Sequence, residues 1–130
     1  MQKVSVVLID DNNDYRWVLE HFITRHGFLV TGSFTHKEFV GQTELDVVPD
    51  IAIISFDKLL TEQTISFVRK NYRPIKILIN SLYEDRKSIN AIIEMAVEGL
   101  IFKISKATEQ HIMEAIEALK QDRKYFVEIK

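Results

Sequence analysis

Near the start of the chain, Val4-Ser5-Val6-Val7-Leu8-Ile9-Asp10-Asp11-Asn12-Asn13-Asp14 passes abruptly from an apolar run into acids and amides. The run is the length of one strand. Its apolar residues are almost continuous rather than alternating, as expected where both faces of a strand are covered. Similar runs follow at 28–34, 51–54, 75–79 and 100–102, their starts about 22 to 25 residues apart. Between them the apolar period becomes helical. Tyr15, Val18, Leu19, Phe22 and Ile23 form one face of a first helix. Thr35-His36-Lys37-Glu38 has the pattern of a capping box opening a second, with Phe39 and Val40 inward. Leu60, Thr64, Phe67 and Val68 mark a third, which must end before Pro74. Ile89, Ile92, Ile93 and Ala96 mark a fourth, closing near Gly99, and Ile112, Ala115, Ile116 and Leu119 a fifth.

Strands alternating with helices in this way give an α/β fold, a (βα)5 doubly wound parallel sheet with right-handed crossovers. The expected strand order is the flavodoxin-like 2-1-3-4-5, with ligands at the carboxyl ends of strands 1 and 3. One domain over 1–124 accounts for the pattern, leaving 125–130 as a tail or the start of a linker.

Composition narrows the function. The 130 residues are 46% hydrophobic and 28% charged, with a formal net charge of −2 that gives no global pull toward nucleic acid. No apolar run approaches the roughly 20 residues of a membrane helix. No cationic and apolar leader opens the chain. The absence of cysteine excludes disulfides and thiolate chemistry and agrees with a cytoplasmic location. His21, His26, His36 and His111 show no ligand spacing, and Trp17, Phe22 and the other phenylalanines read as packing residues. Asn13 or Asp14 reads as the cap of the first helix.

Chemistry is then sought at the strand ends. These carry Asp10-Asp11, Ser55-Phe56-Asp57, Asn80-Ser81 and Lys103. Here the sequence resembles the receiver domains of bacterial response regulators. Val7-Leu8-Ile9-Asp10-Asp11 is similar to their first strand and acidic pair. Pro49-Asp50-Ile51-Ala52-Ile53-Ile54 is similar to the strand leading to the phosphoacceptor. Lys76-Ile77-Leu78-Ile79-Asn80-Ser81 and Glu98-Gly99-Leu100-Ile101-Phe102-Lys103 are similar to the fourth and fifth strands. The resemblance implies that Asp10 and Asp11 are the metal pair, Ser81 the phosphate-sensing hydroxyl and Lys103 the phosphate-pairing cation. It also implies protein partners: a histidine kinase, another regulator or an effector domain. Arg123-Lys124-Tyr125-Phe126 resembles the junction that precedes a LuxR/NarL-type DNA-binding domain. No nucleic acid contact is expected through this domain, no membrane and no enzymatic activity; a homodimer is allowed.

The departures from the family lie at the reacting position. Ser55 stands where the acceptor aspartate is expected. A serine hydroxyl needs a general base to attack phosphorus, and its phosphate ester would be stable. The formal charge of Asp10, Asp11, position 55 and Lys103 falls from −2 to −1, which weakens any Mg²⁺ site. Leu100 replaces the usual aromatic switch residue, Ile104 the proline after the lysine, and Leu82 the small residue after the hydroxyl. The expectation is an atypical receiver that acts without phosphorylation, needs no cofactor, and binds Mg²⁺ weakly if at all. The alternative acceptor is Asp57, displaced about 6.6 Å along the strand from position 55. A direct Lys103 contact with Asp10 or Asp11 would fill the space of the phosphate.

Overall fold

The computed structural model describes residues 3–41, 45–72, 74–104 and 107–127. Strands β1 (Ser5–Ile9), β2 (Leu29–Phe34), β3 (Ile51–Ser55), β4 (Lys76–Ser81) and β5 (Gly99–Phe102) alternate with helices α1 (Asn13–Arg25), α2 (His36–Gly41), α3 (Thr61–Asn71), α4 (Arg86–Glu94) and α5 (Thr108–Lys120). All strand pairs are parallel, in the order 2-1-3-4-5 expected from the sequence. A sixth strand, β6 (Tyr125–Phe126), then pairs with β5, so residues read as a tail extend the sheet.

The two-residue period of the strands sorts the core into two layers. Val7, Ile9, Ala52, Ile54, Ile77, Ile79, Leu100 and Phe102 pack on the side of α2, α3 and α4, around fully buried Phe39. Val6, Leu8, Ile51, Ile53, Leu78 and Ile101 pack beneath α1 and α5 against Phe22, Ile23, Ile112 and Ile116. β2 is the exception, since it forms one edge and stays half exposed. Its Thr31, Gly32 and Ser33 are what an edge strand tolerates.

Several local expectations are corrected. Trp17 and Val18 are 62% and 59% exposed, because α1 lies on the sheet through Leu19, Phe22 and Ile23, with Tyr15 half-buried beside them. Ile93 likewise faces outward. The cap of α1 is Asn12, one residue before the expected pair, its side chain accepting from the Tyr15 amide at 3.0 Å. The fourth helix ends at Glu94, and the left-handed residue beyond it is Ala96 (φ 55°) rather than Gly99. Gly99 opens β5 instead. A Cβ there would lie 2.8 Å from a Leu78 methyl and 2.9 Å from the Tyr125 carbonyl oxygen, so the glycine admits β6.

The Thr35–Glu38 capping box forms as expected. The Thr35 amide donates to the Glu38 carboxylate at 2.8 Å, and the Glu38 amide to the Thr35 hydroxyl at 3.1 Å. The Thr35 amide, followed by the Thr35 side chain, holds the Glu38 carboxyl below its usual range.

Candidate functional site

Strand parity carries the site out of the α1/α5 layer. Leu8 is followed two residues on by Asp10, Ile53 by Ser55, Leu78 by Asn80 and Ile101 by Lys103. The pairs Ile9↔Ile54 and Ser55↔Asn80 set these residues side by side at the carboxyl ends of β1, β3 and β4. Ser81 and Asp11 have the opposite parity and turn toward the α2–α4 side.

The cluster centres on an ion pair. Lys103 Nζ lies 2.6 Å from Asp10 Oδ2, with both side chains more than nine-tenths buried. The other carboxylate oxygen of Asp10 accepts from the Asn12 amide at 2.9 Å, and Arg16 donates to the Asp10 carbonyl. The ammonium also sits 4.5 Å from the centre of the Tyr15 ring, a cation–π contact. The Tyr15 hydroxyl accepts from the Asn80 amide at 2.7 Å. Burial raises the Tyr15 pKa above that of a free phenol; the Asn80 bond offsets part of this, and the Asp10 charge adds to it.

The acidic pair is divided. Asp10 is buried, whereas Asp11 is exposed and accepts from the His36 amide at 2.8 Å. Mg²⁺ demands a near-octahedral shell of oxygens, mostly from carboxylates and water. Lys103 and Asn12 already use the oxygens of Asp10, position 55 contributes a neutral hydroxyl, and among the described residues no three His, Cys, Asp or Glu side chains converge. That donor set does not fit a tight Mg²⁺ centre.

The remaining candidates are engaged locally. The buried Ser81 hydroxyl donates to the Tyr83 carbonyl at 3.0 Å and accepts from the Tyr83 amide at 2.9 Å, which turns it into the loop after β4. Leu100 is 2% exposed and packs within the α2–α4 layer, whereas Leu82 and Ile104 are exposed. Asp57 Oδ1 accepts from the amides of Leu59 and Leu60 at 2.8 and 2.9 Å, and the Asp57 amide donates to the Thr61 hydroxyl at 2.7 Å. This carboxylate therefore closes the turn into α3. Asp57→Ala should cost about 1 kcal/mol, the usual effect of losing such a cap, seen as a lower urea midpoint with an unchanged slope.

His36 joins these parts, a role its sequence position did not reveal. It is 2% exposed at the start of α2. Its Nε2 lies 2.9 Å from the Ser55 carbonyl oxygen and its Nδ1 2.7 Å from the Thr64 hydroxyl. A carbonyl only accepts, so Nε2 carries the proton and the Thr64 hydroxyl donates to Nδ1. One residue thus binds Asp11 through its backbone, and position 55 and α3 through its ring. The available signal was its inward position three residues before Phe39 on an amphipathic turn. Among the described residues no base is hydrogen-bonded to the Ser55 hydroxyl itself.

Comparison with known proteins agrees on the architecture. No family model matches the chain. The DNA-binding transcriptional regulator NtrC of Proteus hauseri is 29% identical over 87 residues, which are 65% of this chain and 18% of that regulator. The chain is thus matched to a small fraction of that relative's length. The isolated receiver domain of RcsB from Salmonella enterica serovar Typhimurium, solved with the phosphomimetic BeF3⁻, superposes with a TM-score of 0.81 at 16% identity, over 98% of this chain and 95% of the other. The non-phosphorylated receiver domain of the stress response regulator RcsB from Escherichia coli gives 0.80 at 17%, over 98% and 100%. The protein therefore has the receiver-domain fold of response regulators. No helix among the described residues is long and apolar enough to cross a membrane.

Proposed function

We propose that this protein is an atypical response-regulator receiver that signals through protein–protein contact without being phosphorylated. One observation carries the reading: the buried Lys103–Asp10 pair at 2.6 Å beside a serine at the acceptor position. In a phosphate-driven receiver the lysine must be available to the incoming phosphoryl group and the acceptor must be a carboxylate. Here the cation is spent on Asp10, and Ser81, the expected phosphate sensor, is bonded to its own loop. Partners in this reading are a kinase, another regulator or an effector domain, met in the cytoplasm, with no catalytic activity of the domain's own. A DNA-binding domain of the LuxR/NarL type joined beyond β6, and a homodimer, belong to the same proposal. The solved RcsB structures include two RcsB dimers bound to two parallel DNAs, which makes transcription the first process to examine.

Backbone amide spectra recorded with Mg²⁺ and BeF3⁻ test it. The expected result is no saturable shift at Ser81, Leu100 or Lys103 at millimolar Mg²⁺. Saturable movement of those three amides would place this chain among phosphate-responsive receivers. Acceptance of phosphate at Asp57 is the alternative, and the capping bonds of that carboxylate speak for a structural role instead.

A further inference from the structure

The outer edge of β5 is a hazard that its own sequence does nothing to reduce. Gly99-Leu100-Ile101-Phe102 is apolar throughout and holds no lysine or proline of the kind that protects open edges. The backbone of that edge is nevertheless closed from within the chain. At its upper end the Thr108 hydroxyl lies 3.1 and 3.2 Å from the carbonyls of Phe102 and Lys103 and shares its one hydrogen between them. At its lower end β6 lies parallel to it, with Tyr125 donating to Glu98 and Val127 to Leu100, each at 3.0 Å.

Several features hold β6 in that position. Asp122 takes a left-handed turn (φ 60°) after α5 and pairs with Lys76, while the Arg123 amide returns to the Ala118 carbonyl at 2.9 Å. Gly99 leaves room for the Tyr125 carbonyl. The Tyr125 hydroxyl donates to Glu114 on α5 at 2.7 Å, and Gln110 steadies the other oxygen of that carboxylate at 2.7 Å. Partial burial, followed by the Glu114 bond and charge, pushes the Tyr125 phenol up to about 12, so it stays a donor across the physiological range. The strand itself is only two residues long, and Phe126 is 42% exposed.

We propose that β6 is an edge guard: a short, detachable strand that keeps the apolar β5 edge from pairing with β5 of a second copy of this chain. Two copies related by a twofold axis would meet antiparallel through that edge, a self-complementary pairing that needs no other partner. Release of β6 exposes the edge, so anything that pulls on residues 125–127 becomes an input to self-association.

Tyr125→Pro with Val127→Pro removes both amide donors and leaves the sequence of β5 unaltered, with loss of the contacts that Tyr125 and Val127 make at the margin of the core. Mass by light scattering behind size exclusion, with circular dichroism to confirm folding, reads the result against the unaltered chain. The double variant should move at least one association step higher. A folded double variant of unchanged mass overturns the proposal. Tyr125→Phe removes only the phenol bond to Glu114 and decides the matter if the double variant fails to fold. It should make the Val127 amide exchange roughly tenfold faster, the equivalent of one hydrogen bond, and begin to associate at lower concentration than the unaltered chain. Unchanged exchange and unchanged association in Tyr125→Phe would show that β6 guards nothing.

Discussion

Lys103→Met should destabilise the protein by about 3–5 kcal/mol, the cost of leaving one partner of a buried ion pair uncompensated. The physical reason is specific to this site. Asp10 is 5% exposed, and its carboxylate has one amide donor besides the ammonium. Without Lys103 it must hold a charge in a poorly solvated position or take up a proton. The methionine fills the volume of the lysine stem, so lost packing contributes little. Asp10→Asn in the Lys103→Met background should recover most of the loss, because the charge and its desolvation disappear together. Urea denaturation of the two single variants and the double variant gives the coupling directly. Losses that simply add would mean the pair is not the organising contact of the site.

His36→Ala should cost about 2–4 kcal/mol, combining a large-to-small change with two abandoned hydrogen bonds. The Thr64 hydroxyl would be left buried without its acceptor, and the Ser55 carbonyl would lose its imidazole donor, keeping the longer 3.4 Å bond from Thr61. The effect should spread beyond α2. Faster amide exchange is expected in the 55–61 segment and in the first turn of α3, since the ring ties those parts to the start of α2. A loss confined to α2 would make His36 an ordinary core residue.

The fold was legible because parallel strands covered on both sides write near-continuous apolar runs, and five of them recur with helical periods between. Asp10, Ser55, Asn80 and Lys103 followed from the same pattern, each falling where a strand ends. What the sequence did not disclose depends on contacts across long separations. Nothing local says that Lys103 selects Asp10 rather than Asp11; strand parity decides it, by placing Asp10 on the α1/α5 side and turning Asp11 away. The ring of His36 meets Ser55 and Thr64 only after α2 and α3 have packed. Trp17 and Val18 misled because an aromatic and a branched residue beside a helical stripe resemble its extension. Two residues, Tyr125 and Phe126, are too few to carry a strand period. Their pairing depends on the space above Gly99, a residue that also reads as a helix terminator.

The receiver framework is proposed to persist here without the phosphoryl chemistry. Intact-mass and peptide mass spectrometry after incubation with acetyl phosphate and Mg²⁺ tests it most directly. The expected spectrum shows the unmodified chain, with no phosphoryl group on Ser55 or Asp57. A hydroxylamine-labile phosphoryl adduct on Asp57, or a stable one on Ser55, would contradict it.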